Sequence, residues 1–385
     1  MENIVVEEIQ PVFGAKITAI GVGGGGSNAI SNLVGTMGTH PCVKIVAANT
    51  DKQHLDLSPA NYKIRLGEER TRGLGAGMRP EVGREAAEES REEIREMLQG
   101  SDIVFIATGL GGGTGTGASP VIAEIAKEIG ALTVSIVTKP FRSEGPKKAR
   151  LAEEGLAKLR EMSDSIIVVP NEKLIPIIPR NAGKTECYKI VDDVLVRAVT
   201  GIAGVMLNYE ANNMNLDFAD IETVMGHKGL ALMGIGESEG ENAATSAVED
   251  ALKSPLLESV SIQGAMGILV NFETHPDYSF LELNEAQTYV QEFAHPEADV
   301  KFGTISRPEM SENHVRVTII ATGFEKDVMP SKEEKQGFQE EKQKQQMKQA
   351  ITTEIHPKEL FGQNYDQDNL DYPTILRRSP QKPNP

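Results

Sequence analysis

Only two cysteines, Cys42 and Cys187, occur in 385 residues. They form neither a CxxC pair nor a disulfide framework, which excludes a paired-thiol redox motif and a disulfide-stapled scaffold. Nowhere does an apolar run approach the ~18 residues that a membrane-crossing helix needs. Positive charge is also short: 39 Lys and Arg stand against 56 Asp and Glu, a formal net charge of −17. That balance argues against broad, sequence-independent contact with DNA or an anionic membrane face, since both would repel the chain. The N-terminal MENIVVEEIQPVFG is acidic and lacks an apolar h-region and a small-residue cleavage site, so no export signal is expected. The seven histidines show no paired metal-ligand spacing, and neither a Cys/His nucleophile arrangement nor a Ser-centred elbow is present. These absences predict a soluble, cytoplasmic protein with no metal site built from protein ligands.

The apolar fraction of 39% and the 37 glycines are ordinary for a globular chain, and the length suggests two main units. From Lys16 onward, short β-branched runs end in glycine or polar loops and lead into helical stretches. KITAIGV runs into GGGGSN and AISNLV; VKIVAAN into TDKQH; DIVFIATG into GGGTGTG and ASPVIAEIAKEIG; LTVSIVT into KPFRSEG and a further helix; SIIVVP follows. Such alternation is the mark of an α/β fold whose parallel sheet is covered on both faces. A long helix is expected from about Cys187, with Val191, Val194, Leu195, Ala198 and Ile202 at helical spacing. Beyond the polar YEANNMN, the runs ALMGIGES, AMGILVNFE, VKFGTIS and VRVTIIATGF predict a smaller mixed sheet, interleaved with helices at ENAATSAVEDALKS and NEAQTYVQEFA. Past Glu325 the pattern ends. Fifteen of the twenty residues from Ser331 to Ala350 are Lys, Glu or Gln, a composition with no apolar face to bury and therefore a solvated linker. NLDYPTILRR then restores an apolar patch suited to a short docking peptide.

Two glycine-rich turns carry the chemistry. Gly21 to Gly26 satisfies GxGxxG between a strand and a helix, where backbone N–H groups and a helix N-terminus can approach phosphate. Alone the motif is weak, and with Asp51 beyond the next strand it equally supports an NAD-binding oxidoreductase. Gly111-Gly112-Gly113-Thr114-Gly115-Thr116-Gly117 is a second strand-to-helix turn, which a dinucleotide fold does not need. It is no Walker loop, because no GK[ST] follows and the segment has no lysine. Two such turns on one sheet edge suit a di- or triphosphate held by amides and hydroxyls, its charge neutralised by Mg2+.

GGGTGTG, RTRGLGAGMRPEVGREAAEES, VTKPF with the following EG, VVPNEKL, NLDFADIETVM and SPLLE together resemble the FtsZ family, the bacterial homologues of tubulin. They occur in the family's order, and the likeness spans essentially Lys16 to Phe324. It implies a tubulin/FtsZ-like α/β fold: a flexible tail at 1–15, a GTP-binding domain at 16–186, a central helix at 187–209 and a C-terminal activation domain at 210–325. A disordered linker at 326–367 and a docking peptide with its tail at 368–385 complete that division. The implied activity is GTP hydrolysis by subunits that assemble head to tail into filaments of the division ring at mid-cell. A nucleotide-binding scaffold that assembles and barely hydrolyses is the other reading of the same motifs.

The resemblance also implies roles. GTP or GDP phosphates fall to Gly24, Gly25, Gly26, Ser27 and Asn28, and to Gly111, Gly112, Gly113, Thr114, Gly115 and Thr116. Ala76 and Gly77 belong to a loop near the γ-phosphate, and Asp51 lies beside Mg2+, which is held mainly by nucleotide and water. Glu144 and Lys148 match the sugar side, Asn171 and Asp192 the guanine edge, and Tyr188 a stacking position. Ser27 stands where glycine is usual and Lys148 where arginine is commoner. Asp217 and Asp220, supported by Asn215, match acids that position water in the neighbouring subunit's site. By residue type alone, Asp217 is an ordinary N-cap and Asp220 a favourable first-turn acid. Leu370, Asp371, Pro373, Ile375, Leu376 and Arg377 match a peptide that docks on membrane-anchoring and regulatory division proteins, so the membrane is reached only indirectly and nucleic acid not at all.

Overall fold

In the computed structural model, which describes residues 14–207, 214–257 and 262–324, the β-branched runs become strands in which alternate residues face opposite ways. All described residues fall in one unit, Met1–Val328; Met329–Pro385, with the expected linker and docking peptide, lies outside them. The first six strands are β1 (Ile17–Val22), β2 (Val43–Asn49), β3 (Tyr62–Arg65), β4 (Ile103–Gly109), β5 (Leu132–Lys139) and β6 (Ser165–Pro170). They pair in parallel in the order β3-β2-β1-β4-β5-β6.

Both faces of this sheet are covered. Ile17, Ala19, Ile45, Phe105 and Ile136 point toward α1 (Gly23–Met37) and the long α8 (Lys184–Leu207). Ile20, Val22, Val46, Val104 and Ile106 point toward α4 (Pro80–Glu89), α5 (Arg91–Leu98), α6 (Thr114–Glu128) and α7 (Pro146–Met162). Two short helices, α2 (Lys52–Asp56) and α3 (Glu68–Thr71), flank β3. The near-uniform burial of the central strands is what the continuous apolar runs of a doubly covered parallel sheet require.

The second region holds α9 (Phe218–Met225), β7 (Gly229–Glu239), α10 (Ala243–Leu252), β8 (Gly267–Thr274), α11 (Phe280–Phe293), β9 (Asp299–Ser306) and β10 (His314–Thr322). β10 pairs antiparallel with β7 and β8, and β9 runs parallel to β8. Its own core lies under α10 and α11. One link is not visible in the sequence: the first residues of β7 pair in parallel with β6, Ser165 opposite Gly229, so ten strands form one continuous sheet.

Differences from expectation are local. α8 begins at Lys184, three residues before the expected 187, because Glu186 sits favourably in its first turn although the apolar spacing starts only at Val191. Residues 208 and 209 of the expected helix lie outside the described residues. β3 is a four-residue edge strand, too short to show a period. Among the described residues no helix is long and apolar enough to cross a membrane, and neither cysteine is in a disulfide.

Candidate functional site

The strand order reverses direction between β1 and β4, which are hydrogen-bonded neighbours. A crevice at the carboxyl ends of parallel strands opens at such a switch point. Both glycine turns stand there: Gly23 to Gly26 form the first turn of α1, while Gly111 to Gly113 make the loop that leads into α6 at Thr114. Glycine is a poor helix former, so packing decides the matter. A Cβ on Gly23, which has φ +70°, would lie 2.9 Å from the Gly115 nitrogen, so the two helix ends meet this closely only because Gly23 is bare. Gly111, at φ +101°, likewise turns against the Lys148 carbonyl. Neither helix has a side-chain N-cap or an acid in its first turn, so two sets of backbone N–H groups are left for an anion.

These ends open into a cavity of about 270 Å³. Of the residues expected to bind nucleotide, it is lined by Gly24, Gly25, Gly111, Gly112, Gly113, Thr114, Gly115, Glu144, Lys148, Asn171, Tyr188 and Asp192. Lys148 Nζ donates to Glu144 Oε2 at 2.9 Å, and the Phe141 N–H donates to Glu144 Oε1 at 2.9 Å, which fixes that carboxylate on the wall. Asn171 is 4% exposed and its Oδ1 has no partner among the described residues, a buried acceptor that a ligand donor would satisfy. Tyr188 stands edge-on to Phe141 with ring centroids 6.0 Å apart, leaving a flat face. Burial, then the charge of Asp193, pushes the Asp192 carboxyl up to about 7.

Several of the expected residues do not line this cavity. Thr116 is a brace: its Oγ1 accepts the Gly111 N–H at 2.8 Å and its methyl lies against Gly155, so it faces a separate crevice behind the loop. Gly26 and Ser27 turn inward, Gly26 against the Ala107 carbonyl and Ser27 with a buried hydroxyl. Ala76 is buried against Gly113, and Gly77 does not reach the cavity wall. Asp51 caps α2 by accepting the His54 N–H, and Asn28 pairs with His54 rather than facing inward. His54 is the residue sequence reading missed here: its ring joins Asn49, 3.0 Å from Nδ1, to Asn28, 3.1 Å from Nε2, beside Gly24. Thr138 and Pro140 were also missed, although their place at the carboxyl end of β5 is the signal that points to them.

The three residues expected to act on water are not in this cavity. Asp217 caps α9, its Oδ1 accepting the Asp220 N–H at 2.9 Å. Asp220 is held by Lys301, whose Nζ lies 2.6 Å from Oδ1, and this pairing keeps its carboxyl below the usual range. Asn215 precedes Leu216, whose N–H donates to the Val205 carbonyl near the far end of α8. At ~1.5 Å per residue the helix climbs about 20 Å from Asp192 to Val205. The acids therefore sit at the opposite end of the central helix from Tyr188 and Asp192 of the cavity wall. Leu370, Asp371, Pro373, Ile375, Leu376 and Arg377 lie outside the described residues. Among the described residues no group of three or more His, Cys, Asp or Glu is placed to hold a metal.

Comparison with known proteins gives a consistent result. A family model described as the Tubulin/FtsZ family GTPase domain matches residues 16–179, and one for the FtsZ family C-terminal domain matches 229–325. The chain is 53% identical over 324 residues to cell division protein FtsZ of Helicobacter pylori, covering 84% of this chain and 83% of that one. With the Azotobacter vinelandii protein of the same name identity is 48% over 310 residues, 80% of this chain and 77% of the other. Among solved structures, an empty FtsZ dimer from M. jannaschii superposes with a TM-score of 0.76 at 45% identity, over 81% of this chain and 89% of that one. A GTPγS-bound protofilament of CetZ2 from Haloferax volcanii shares the fold, with a TM-score of 0.68 at 21% identity, over 81% and 94% of the two chains.

Proposed function

This chain belongs to the FtsZ family, and on that footing we propose that it binds GTP at one end of its central helix and hydrolyses it with the opposite end of a neighbouring copy. It is a tubulin-like GTPase of cell division. The NAD-binding alternative is set aside, since residues 16–179 match the Tubulin/FtsZ family GTPase domain.

In this reading the amides of Gly24, Gly25 and Gly111 to Gly115 hold the phosphates, with the positive ends of α1 and α6 behind them. Glu144 and Lys148 meet the ribose side. Tyr188 stacks on guanine, Asn171 completes its buried acceptor with a base donor, and ionised Asp192 accepts from both N1–H and the 2-amino group. Mg2+ fits this wall only as an ion held by phosphates and water, because of the two carboxylates lining it Glu144 is already engaged and Asp192 is at the base end. Bound there, it would neutralise phosphate charge.

One observation carries the proposal: about 20 Å of helix separates the base-side residues from the region of Asp217 and Asp220, at ~1.5 Å per residue. A second subunit stacked head to tail brings its acids to the open phosphate end. Phosphoryl transfer needs little covalent assistance, so a water placed in line by Asp217 and Asp220, with Asn215 shaping their segment, suffices. A head-to-tail contact is heterologous and need not close, so it generates filaments. Complementation tests this. Neither an Asp217→Ala nor an Asp192→Ala chain should turn over GTP well alone. Mixed, they should recover a measurable share of wild-type phosphate release, because Asp192→Ala subunits present intact acids to GTP on the Asp217→Ala subunits. A mixture no faster than its components would contradict the shared site.

The segment 368–385 completes the proposal as the docking peptide for membrane-anchoring and regulatory division proteins, with the filament in the cytoplasm at the mid-cell ring. Ending the chain at Asn369 should spare GTPase activity and assembly and abolish recruitment to anchor-bearing vesicles; recruitment at the wild-type level would refute the assignment.

A further inference from the structure

The acid pair has a companion that the sequence motifs do not point to. Lys301 lies in β9, far from NLDFAD in sequence, and its ammonium reaches back to Asp220 Oδ1 at 2.6 Å. The two side chains are 33% and 29% exposed, so the pair sits at the surface rather than in the core. A surface ion pair adds little to folding. Its position has a different consequence. Asp217, Asp220 and Asp299 all act on the Lys301 ammonium, and Asp299 approaches His227 at 3.5 Å, so this end of the molecule carries concentrated negative charge. In the assembled filament that charge must approach a triphosphate.

We propose that Lys301 is a positioning residue for hydrolysis: it fixes the Asp220 carboxylate against α9 and supplies the positive charge that lets the acid pair face the phosphates of the adjoining subunit. The proposal rests on the reading of Asp217 and Asp220 as acids that serve a neighbour's GTP. Asp220 is tied to β9 through Lys301 and also bonds to Asp217, while Asp217, exposed at the surface, accepts the Asp220 N–H through Oδ1. Loss of the ammonium removes the tie of Asp220 to β9, leaving only its bonds to Asp217, and leaves like charges unopposed. Displacements of that scale at a reacting centre cost roughly 10- to 100-fold in rate.

The test uses full-length Lys301→Met and Lys301→Arg chains beside Asp217→Ala. GTP affinity, thermal midpoint, assembly threshold by light scattering and phosphate release per assembled subunit are read on each. Lys301→Met should bind GTP and unfold as the wild type does, yet release phosphate at least about tenfold more slowly per assembled subunit. Lys301→Arg, which keeps the charge, should restore most of the rate. Should the methionine chain misfold, Lys301→Gln gives the same comparison. A neutral variant within twofold of wild type, or an arginine variant as slow as the neutral one, overturns the proposal. If Asp217→Ala itself retains turnover, the shared-site reading has failed first; if Asp217→Ala is inactive while Lys301→Met is not, only the role of Lys301 is lost.

Discussion

Replacing Asp217 by alanine should lower GTP turnover by roughly 10²- to 10³-fold, the range seen when one group that stabilises or places the reacting atoms is removed. GTP affinity should be unchanged, because Asp217 lies at the far end of α8 from the cavity and lines none of it. A structural explanation competes: Asp217 is also the N-cap of α9, and loss of a cap costs about 1 kcal/mol. Asp217→Asn separates the two. Asparagine caps a helix as well as aspartate does, but it has no charge with which to polarise water. The asparagine chain should therefore unfold like wild type and be nearly as inactive as the alanine chain. Isothermal titration with GTP and steady-state phosphate release on both variants read the outcome.

Asp192→Asn should weaken GTP binding by about 10²-fold or more and create affinity for XTP. A carboxylate accepts from both the N1–H and the 2-amino group of guanine, whereas an amide sets its own NH2 against the base's NH2. Xanthine offers a carbonyl at that position, which the amide NH2 can meet. The wild-type chain should also show a pH signature. Burial and Asp193 raise the Asp192 carboxyl to about 7, so below that pH the free site is largely protonated and must release a proton to hold guanine. GTP affinity should consequently fall by about tenfold per pH unit below that point and level off above it. In Asp192→Asn this step should vanish from GTP binding. Competition titrations from mildly acidic to mildly alkaline pH measure both effects.

Most of the strands and the wall of the cavity were legible in the sequence because each is written in contiguous residues. A β-branched run ending in glycine and followed by an apolar helix specifies both a parallel strand and a phosphate-facing turn. Twelve of the residues expected to hold nucleotide line one cavity for that reason. The remainder was hidden wherever long-range packing decides orientation. Thr116 has the residue type of a phosphate ligand, yet Gly155 of α7 receives its methyl and turns its hydroxyl onto Gly111. His54 shows no metal spacing, and its importance comes from Asn49 and Asn28, which different elements bring to it. The helices α4, within RPEVGREAAEES, and α5, directly after it, stand outside the strand-to-helix alternation, although Pro80 at the first turn and the buried Val82, Ala86, Ala87, Ile94 and Leu98 mark them. The joining of β6 to β7 spans three residue pairs between strands some sixty residues apart, a contact with no local signature.

The central claim is that the hydrolytic site exists only between subunits. The most direct measurement is phosphate release from GTP with Mg2+ across a series of protein concentrations, with light scattering followed in the same samples. Turnover per subunit should be near zero below a threshold concentration and rise together with scattering above it. Turnover per subunit that is constant across the series, without scattering, would mean that one chain hydrolyses GTP alone and that Asp217 and Asp220 have been given the wrong task.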